Sequence, residues 1–144
     1  MVLLRLISYL PLGALYLFSD FLFVVSFHLV RYRRKMVMKN LINSFPDKTL
    51  HELKQIEHDF YKNLCDYAVE TLKLLTISKE ELSRRMKFVD LGPVNRYAAN
   101  NQSAIMLASH QFNWEWLVAA GNFSLPLAVD YVYQPQRSTF FNQY

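Results

Sequence analysis

The 144-residue chain holds one cysteine, Cys65, which excludes an internal disulfide framework and a cysteine-based zinc site. Cys65 sits among residues that recur at helical period and reads as a small buried hydrophobe rather than a nucleophile. With three glycines there is no glycine-rich loop to cradle a phosphate. Internal repeats and low-complexity tracts are also missing. Basic residues exceed acidic ones by 16 to 12, yet no stretch interleaves Lys and Arg with aromatics, so no nucleic-acid partner is expected. His51 and His58 lie beside Glu52, Glu57 and Asp59 and could ligate a metal, but a solvated helix face accounts for them. A His/Glu metallohydrolase lacks further ligands at metal spacing. No metal and no other cofactor is expected.

Charge is scarce in one place above all. From Leu6 to Val30 the only charged residue is Asp20. As one helix this run would measure about 37 Å, enough for a bilayer core of about 30 Å. Arg31, Arg33, Arg34, Lys35 and Lys39 follow it, while only Arg5 precedes it. The positive flank predicts that the rest of the chain faces the cytoplasm. A cleaved signal peptide fits poorly, because the charge lies on the wrong side and no small-residue cleavage site precedes Arg31. Residues 1–35 are therefore expected to anchor the protein to a membrane. A buried core helix is the alternative, and Pro11 and Asp20 also leave a re-entrant or surface-lying helix open.

Farther on, residues 35–45 read as a short amphipathic helix stopped by Pro46. Thr49-Leu-His-Glu52 is a capping box. It opens about seven helical turns with Leu50, Leu53, Ile56, Phe60, Leu64, Tyr67, Ala68, Leu72 and Leu75 at helical period. Ser78-Lys-Glu-Glu81 is a second box and starts a helix through Met86. Residues 87–90 read as a short strand, 93–99 as a helix and 100–102 as a turn. Residues 104–109 read as a buried strand, 116–121 as a helix stopped by Gly121, and 128–133 as another strand. Strand, helix and strand predict a right-handed crossover between parallel neighbours. The fold class expected is α/β: a membrane helix, a helical segment, then the start of a mixed or parallel sheet, with too few strands to complete it.

The stretch that follows the first strong strand carries the chemistry. His110 stands at the strand's carboxyl end, where open α/β sheets place their ligands. Glu115 is five residues on, which is not a same-face helical spacing, so the two meet only across a turn. Asn113 is placed to cap the next helix, with Glu115 in its first turn, where the helix dipole favours a carboxylate. Glu115 would accept a hydrogen bond from one ring nitrogen of His110 and leave the other to take a proton; a strand-end histidine satisfied by the backbone is the alternative. A histidine and a carboxylate without a paired nucleophile suit direct transfer, in which a bound hydroxyl attacks an acyl thioester. Ser109 adjoins His110 but would point to the opposite face of a strand.

His110-Gln-Phe-Asn-Trp-Glu115 resembles the His-x4-Asp/Glu block of the bacterial lipid A late acyltransferases, the lauroyl/myristoyl acyltransferase family. His110, Asn113, Trp114 and Glu115 match the usual His-x-Gly-Asn-Trp-Glu, and Phe112 stands at the glycine. Leu10-Pro-Leu-Gly-Ala-Leu-Tyr-Leu-Phe-Ser-Asp20 with Tyr32-Arg-Arg-Lys35 is similar to the family's amino-terminal anchor. Asn40-Leu-Ile-Asn-Ser-Phe-Pro46 and Tyr131-Val-Tyr-Gln-Pro135 are similar to two further blocks. The resemblance implies that residues 36–144 are the amino-terminal half of an acyltransferase domain. It further implies an acyl carrier protein or acyl-CoA donor and a membrane lipid acceptor, a lipid A precursor above all, at the bacterial inner membrane. His110 and Glu115 would then be catalytic, and Asn113 and Trp114 would line the substrate. Phe112, bulkier than the usual glycine, is expected to narrow or line the site, with packing under the turn as the alternative. Acylation of another membrane lipid, or a membrane-anchored interaction module without activity, is the alternative.

Overall fold

The computed structural model describes residues 2–109 and 112–132. They form seven α-helices: α1 (Val2–Ser8), α2 (Leu12–Phe23), α3 (Arg34–Ser44), α4 (Leu50–Lys73), α5 (Lys79–Arg85), α6 (Gly92–Ala99) and α7 (Trp114–Ser124). A π-helical segment, Val24–Leu29, prolongs α2 without a break.

The single apolar helix expected over residues 6–30 is interrupted. α1 stops at Ser8, and Pro11 caps α2 in an extended conformation, φ −61° and ψ 147°. Proline supplies no N–H for a helical bond and its ring clashes with a preceding turn, so the break falls there. Leu12–Leu29 is the one stretch of 18 residues among the described residues long and apolar enough to cross a membrane, with 28% of it buried.

α4 organises the rest. Its capping box forms as expected: the Glu52 N–H donates to Thr49 Oγ1 at 3.3 Å and the Thr49 N–H donates to Glu52 Oε2 at 2.8 Å. The face it buries is only partly the one expected: Leu53 and Cys65 are buried as expected, but the face has turned away from the other apolar positions. Leu53, Glu57, Tyr61, Cys65 and Val69, four residues apart, are buried, whereas Leu50 is 58% exposed. That face is taken by the N-terminal segment, which runs antiparallel along α4 and meets it through polar rungs. Tyr16 donates to Glu70 Oε1 at 2.6 Å, and Ser19 donates to Asp66 Oδ1 at 2.6 Å. Tyr61 donates to the Tyr32 carbonyl, and Arg34 makes two bonds to Glu57, at 3.0 and 2.6 Å. Lys73 Nζ donates to the Ser8 and Leu10 carbonyls at 3.0 and 2.9 Å, which satisfies acceptors freed where α1 ends. α2 turns Leu12, Leu15 and Ser19 inward, while Leu17 and Phe21 are 73% and 59% exposed. Leu12, Leu15, Val69, Leu82, Trp116 and Ala120 form one core cluster joining α2, α4, α5 and α7.

The expected α/β fold is corrected by this architecture. No strand and no sheet occurs among the described residues. Residues 87–90, 104–109 and 128–132 are irregular, and Tyr133 lies outside the described residues. A strand exists only where a neighbour accepts its backbone bonds, and no backbone hydrogen bond joins these segments among the described residues. Ile105 and Leu107 are 92% and 96% exposed, so the run read as a buried strand buries neither. Without strands there is no parallel crossover. Gly121 is likewise not a stop, because α7 continues to Ser124. It lies buried inside the helix, where an added Cβ would stand 3.2 Å from the Tyr131 hydroxyl.

Candidate active site

Hydrogen bonds tie the first turn of α7 to α4, and through Glu70 to α2. Asn113 caps α7 as the sequence suggests, its Oδ1 accepting from the Trp116 N–H at 3.3 Å. The other end of the same amide donates to Glu70 Oε2. Glu70 thereby holds Asn113 through one carboxylate oxygen and Tyr16 of α2 through the other. Its backbone carbonyl accepts the Trp116 indole N–H at 3.0 Å, which docks α7 against α4 a second time.

Glu115 falls in the first turn of α7, as expected. Tyr67 of α4 donates to Glu115 Oε1. Burial, then the bond to Glu115, pushes the Tyr67 hydroxyl above its ordinary pKa, and Thr71, then Trp114, oppose the rise. Glu115 Oε2 is buried and has no hydrogen-bond partner among the described residues. A buried carboxylate oxygen left without a donor is costly, so this oxygen is primed to accept one. The carboxylate is thus fixed at one oxygen and open at the other, at the positive end of a helix.

His110 lies outside the described residues, so its distance to Glu115 is not part of this geometry. Ser109, on its amino side, is exposed. Phe112 is 47% exposed and has φ +41°, the left-handed region that a bulky side chain rarely enters. Its carbonyl accepts the Trp114 N–H, closing a tight turn just before the cap. A glycine would take this backbone without strain, which gives a physical reason for the glycine usual at this place in the resembling block. Tyr131 is tied to α7 as well, its hydroxyl donating to the Val118 carbonyl at 2.6 Å.

Sequence reasoning missed Glu70, Tyr67 and Tyr16. Tyr67 was counted among the apolar positions of α4, and Glu70 was not singled out. The signal available was their spacing: residues 67 and 70 share a helical face by the i, i+3 rule.

No curated protein and no solved structure matches the sequence. The family described as bacterial lipid A biosynthesis acyltransferase matches residues 1–120, which include the anchor-like segment, α4 and the His110–Glu115 block. The chain therefore belongs to the bacterial lipid A biosynthesis acyltransferase family.

Proposed function

We propose that the chain supplies the acid–base half of an acyl transfer from an acyl thioester to a hydroxyl of a membrane lipid. The observation that carries this reading is the state of Glu115: one oxygen held by Tyr67, the other buried and unpartnered among the described residues, five residues after a histidine. The family match supports acyl transfer in lipid A synthesis as the class of reaction.

In this mechanism His110 takes the proton from the acceptor hydroxyl as the oxygen attacks the thioester carbonyl. The C–O bond forms, the tetrahedral centre collapses, the C–S bond breaks, and His110 returns the proton to the leaving thiolate. Glu115 accepts from the far ring nitrogen and stabilises the imidazolium, as the carboxylate of a catalytic triad does. The acceptor itself takes the part that an enzyme serine plays there. Asn113 and Trp114 fix the turn, and Phe112 forms the wall beside it.

The donor in this reading is acyl carrier protein or acyl-CoA, and the acceptor is a lipid A precursor. Residues 1–35 hold the protein at the bacterial inner membrane, with residues 36–144 on the cytoplasmic side, because the positive flank follows the apolar segment. The test is transfer of labelled acyl chain from acyl carrier protein to a panel of hydroxylated lipids by membranes bearing the full-length gene product. Label should move to a lipid A precursor and require His110. Label released only as free fatty acid, with or without lipid acceptor, would contradict acyl transfer and indicate thioester hydrolysis.

A further inference from the structure

We infer that the cleft between α3 and α4 is a binding site for the phosphate of an anionic lipid headgroup. The cleft measures about 830 Å³. Its rim carries Arg31, Arg33, Lys35, Lys39 and Lys54. None of these five has a carboxylate at ion-pair distance among the described residues, so their charge is open to a ligand. The single acid of the cleft, Glu57, is 1% exposed and already consumed by both bonds from Arg34. Met38 and Ile42 line the cleft between the cations and add apolar surface beside the charge.

The fold builds this arrangement deliberately. Arg31 and Arg33 both have φ 53°, a conformation that non-glycine residues avoid. The turn is held in it from α4, by Tyr61 donating to the Tyr32 carbonyl and by Glu57 gripping Arg34. Leu29 and Val30, which precede the lining residue Arg31 in the chain, are 72% and 65% exposed. Cations flanking an apolar surface match a lipid, whose phosphate meets the rim while its chains lie along the segment. A soluble acidic protein would use the cations but leave that apolar surface uncovered. Glu57 and Glu70 are about 20 Å apart along α4, so the cleft is distinct from the Glu115 cluster, and the inference does not depend on acyl transfer.

The experiment measures binding of fluorescent phosphatidylglycerol in neutral-detergent micelles to the purified full-length protein. Affinity should fall steeply with added salt and exceed that for phosphatidylcholine. Lys35→Gln/Lys39→Gln/Lys54→Gln should weaken binding roughly 100-fold, from about fivefold per cation near an anionic surface. Lys62→Gln/Lys79→Gln/Lys87→Gln removes equal charge elsewhere and should weaken it by no more than about twofold. If the first triple variant melts early, Lys39→Gln alone, on the exposed side of α3, should still cost about fivefold. Equal affinity for phosphatidylcholine, or equal losses in the two triple variants, overturns the site. Saturation by inorganic phosphate or by an acidic polypeptide at lipid-like concentrations overturns the lipid as its ligand.

Discussion

Replacing Glu70 with alanine should damage the site without undocking the helix that carries it. Its carboxylate accepts the Tyr16 hydroxyl at 2.6 Å on one oxygen and the Asn113 amide on the other. Hydrogen bonds to a charged group contribute about 1.5–3 kcal/mol each. The alanine variant also leaves two half-buried donors unsatisfied, so a loss of about 3–5 kcal/mol is expected. For a chain of this size that lowers Tm by on the order of 10 °C. The Trp116 indole still bonds to the residue 70 carbonyl, because that acceptor is backbone, and Trp116 stays in the core cluster. What loosens is Asn113, and with it the start of α7 and the position of Glu115. If Glu115 acts as proposed, misplacing it by about 1 Å costs on the order of 10²-fold in rate. Glu70→Gln keeps one acceptor oxygen but presents an NH₂ to the other donor, and should fall about midway in stability. The assay is a thermal melt in detergent together with acyl transfer measured well below Tm. Melting within about 1 kcal/mol of the parent, with turnover within about twofold, would refute the argument that Glu70 holds the site together.

Three other outcomes follow from particular residues. Phe112→Gly should stabilise the fold by about 1 kcal/mol by relieving the left-handed backbone at φ +41°, a gain partly offset by glycine's greater freedom when unfolded, and a melt checks it. Arg34→Met should destabilise by about 3 kcal/mol, at the low end for a broken buried pair because Arg34 is itself 31% exposed, whereas Arg34→Met/Glu57→Leu should recover most of that loss in urea unfolding. The Tyr67 hydroxyl is raised in the folded state by burial and by its bond to Glu115, so its contribution is complete below the unfolded value of about 10 and is lost as pH rises through the folded value. Tyr67→Phe should flatten the alkaline limb of a Tm-against-pH curve, and an unchanged limb would assign the loss to other groups.

The helices were legible where their signals are local. Thr49 with Glu52 and Ser78 with Glu81 mark two helix starts within a few residues, and Asn113 marks a third. The sheet was not legible, because an apolar run such as Ala104–Ser109 reports hydrophobicity and not whether a neighbour will pair with it. The buried face of α4 was partly misplaced for a related reason. Glu57, at 1% exposure, belongs to that face only because Arg34 neutralises it from another helix, a long-range fact that periodicity does not carry. Glu115 and its cap were readable from the His110–Glu115 block, whereas Glu70 and Tyr67 gained meaning only once α4 lay against α7. The break at Pro11 was half legible, since the proline was visible but the length of the apolar run outweighed it.

The most direct measurement is a double-mutant cycle on His110 and Glu115 in the full-length enzyme, with acyl transfer as the readout and a thermal melt for each variant. His110→Ala should lower kcat by roughly 10²–10⁴-fold, the usual worth of a general base. Glu115→Ala should cost somewhat less, and the double variant should be little worse than His110→Ala, because groups acting as one unit are non-additive. Losses that multiply fully in the double variant would contradict the coupled pair, and near-normal turnover in His110→Ala would contradict the mechanism itself.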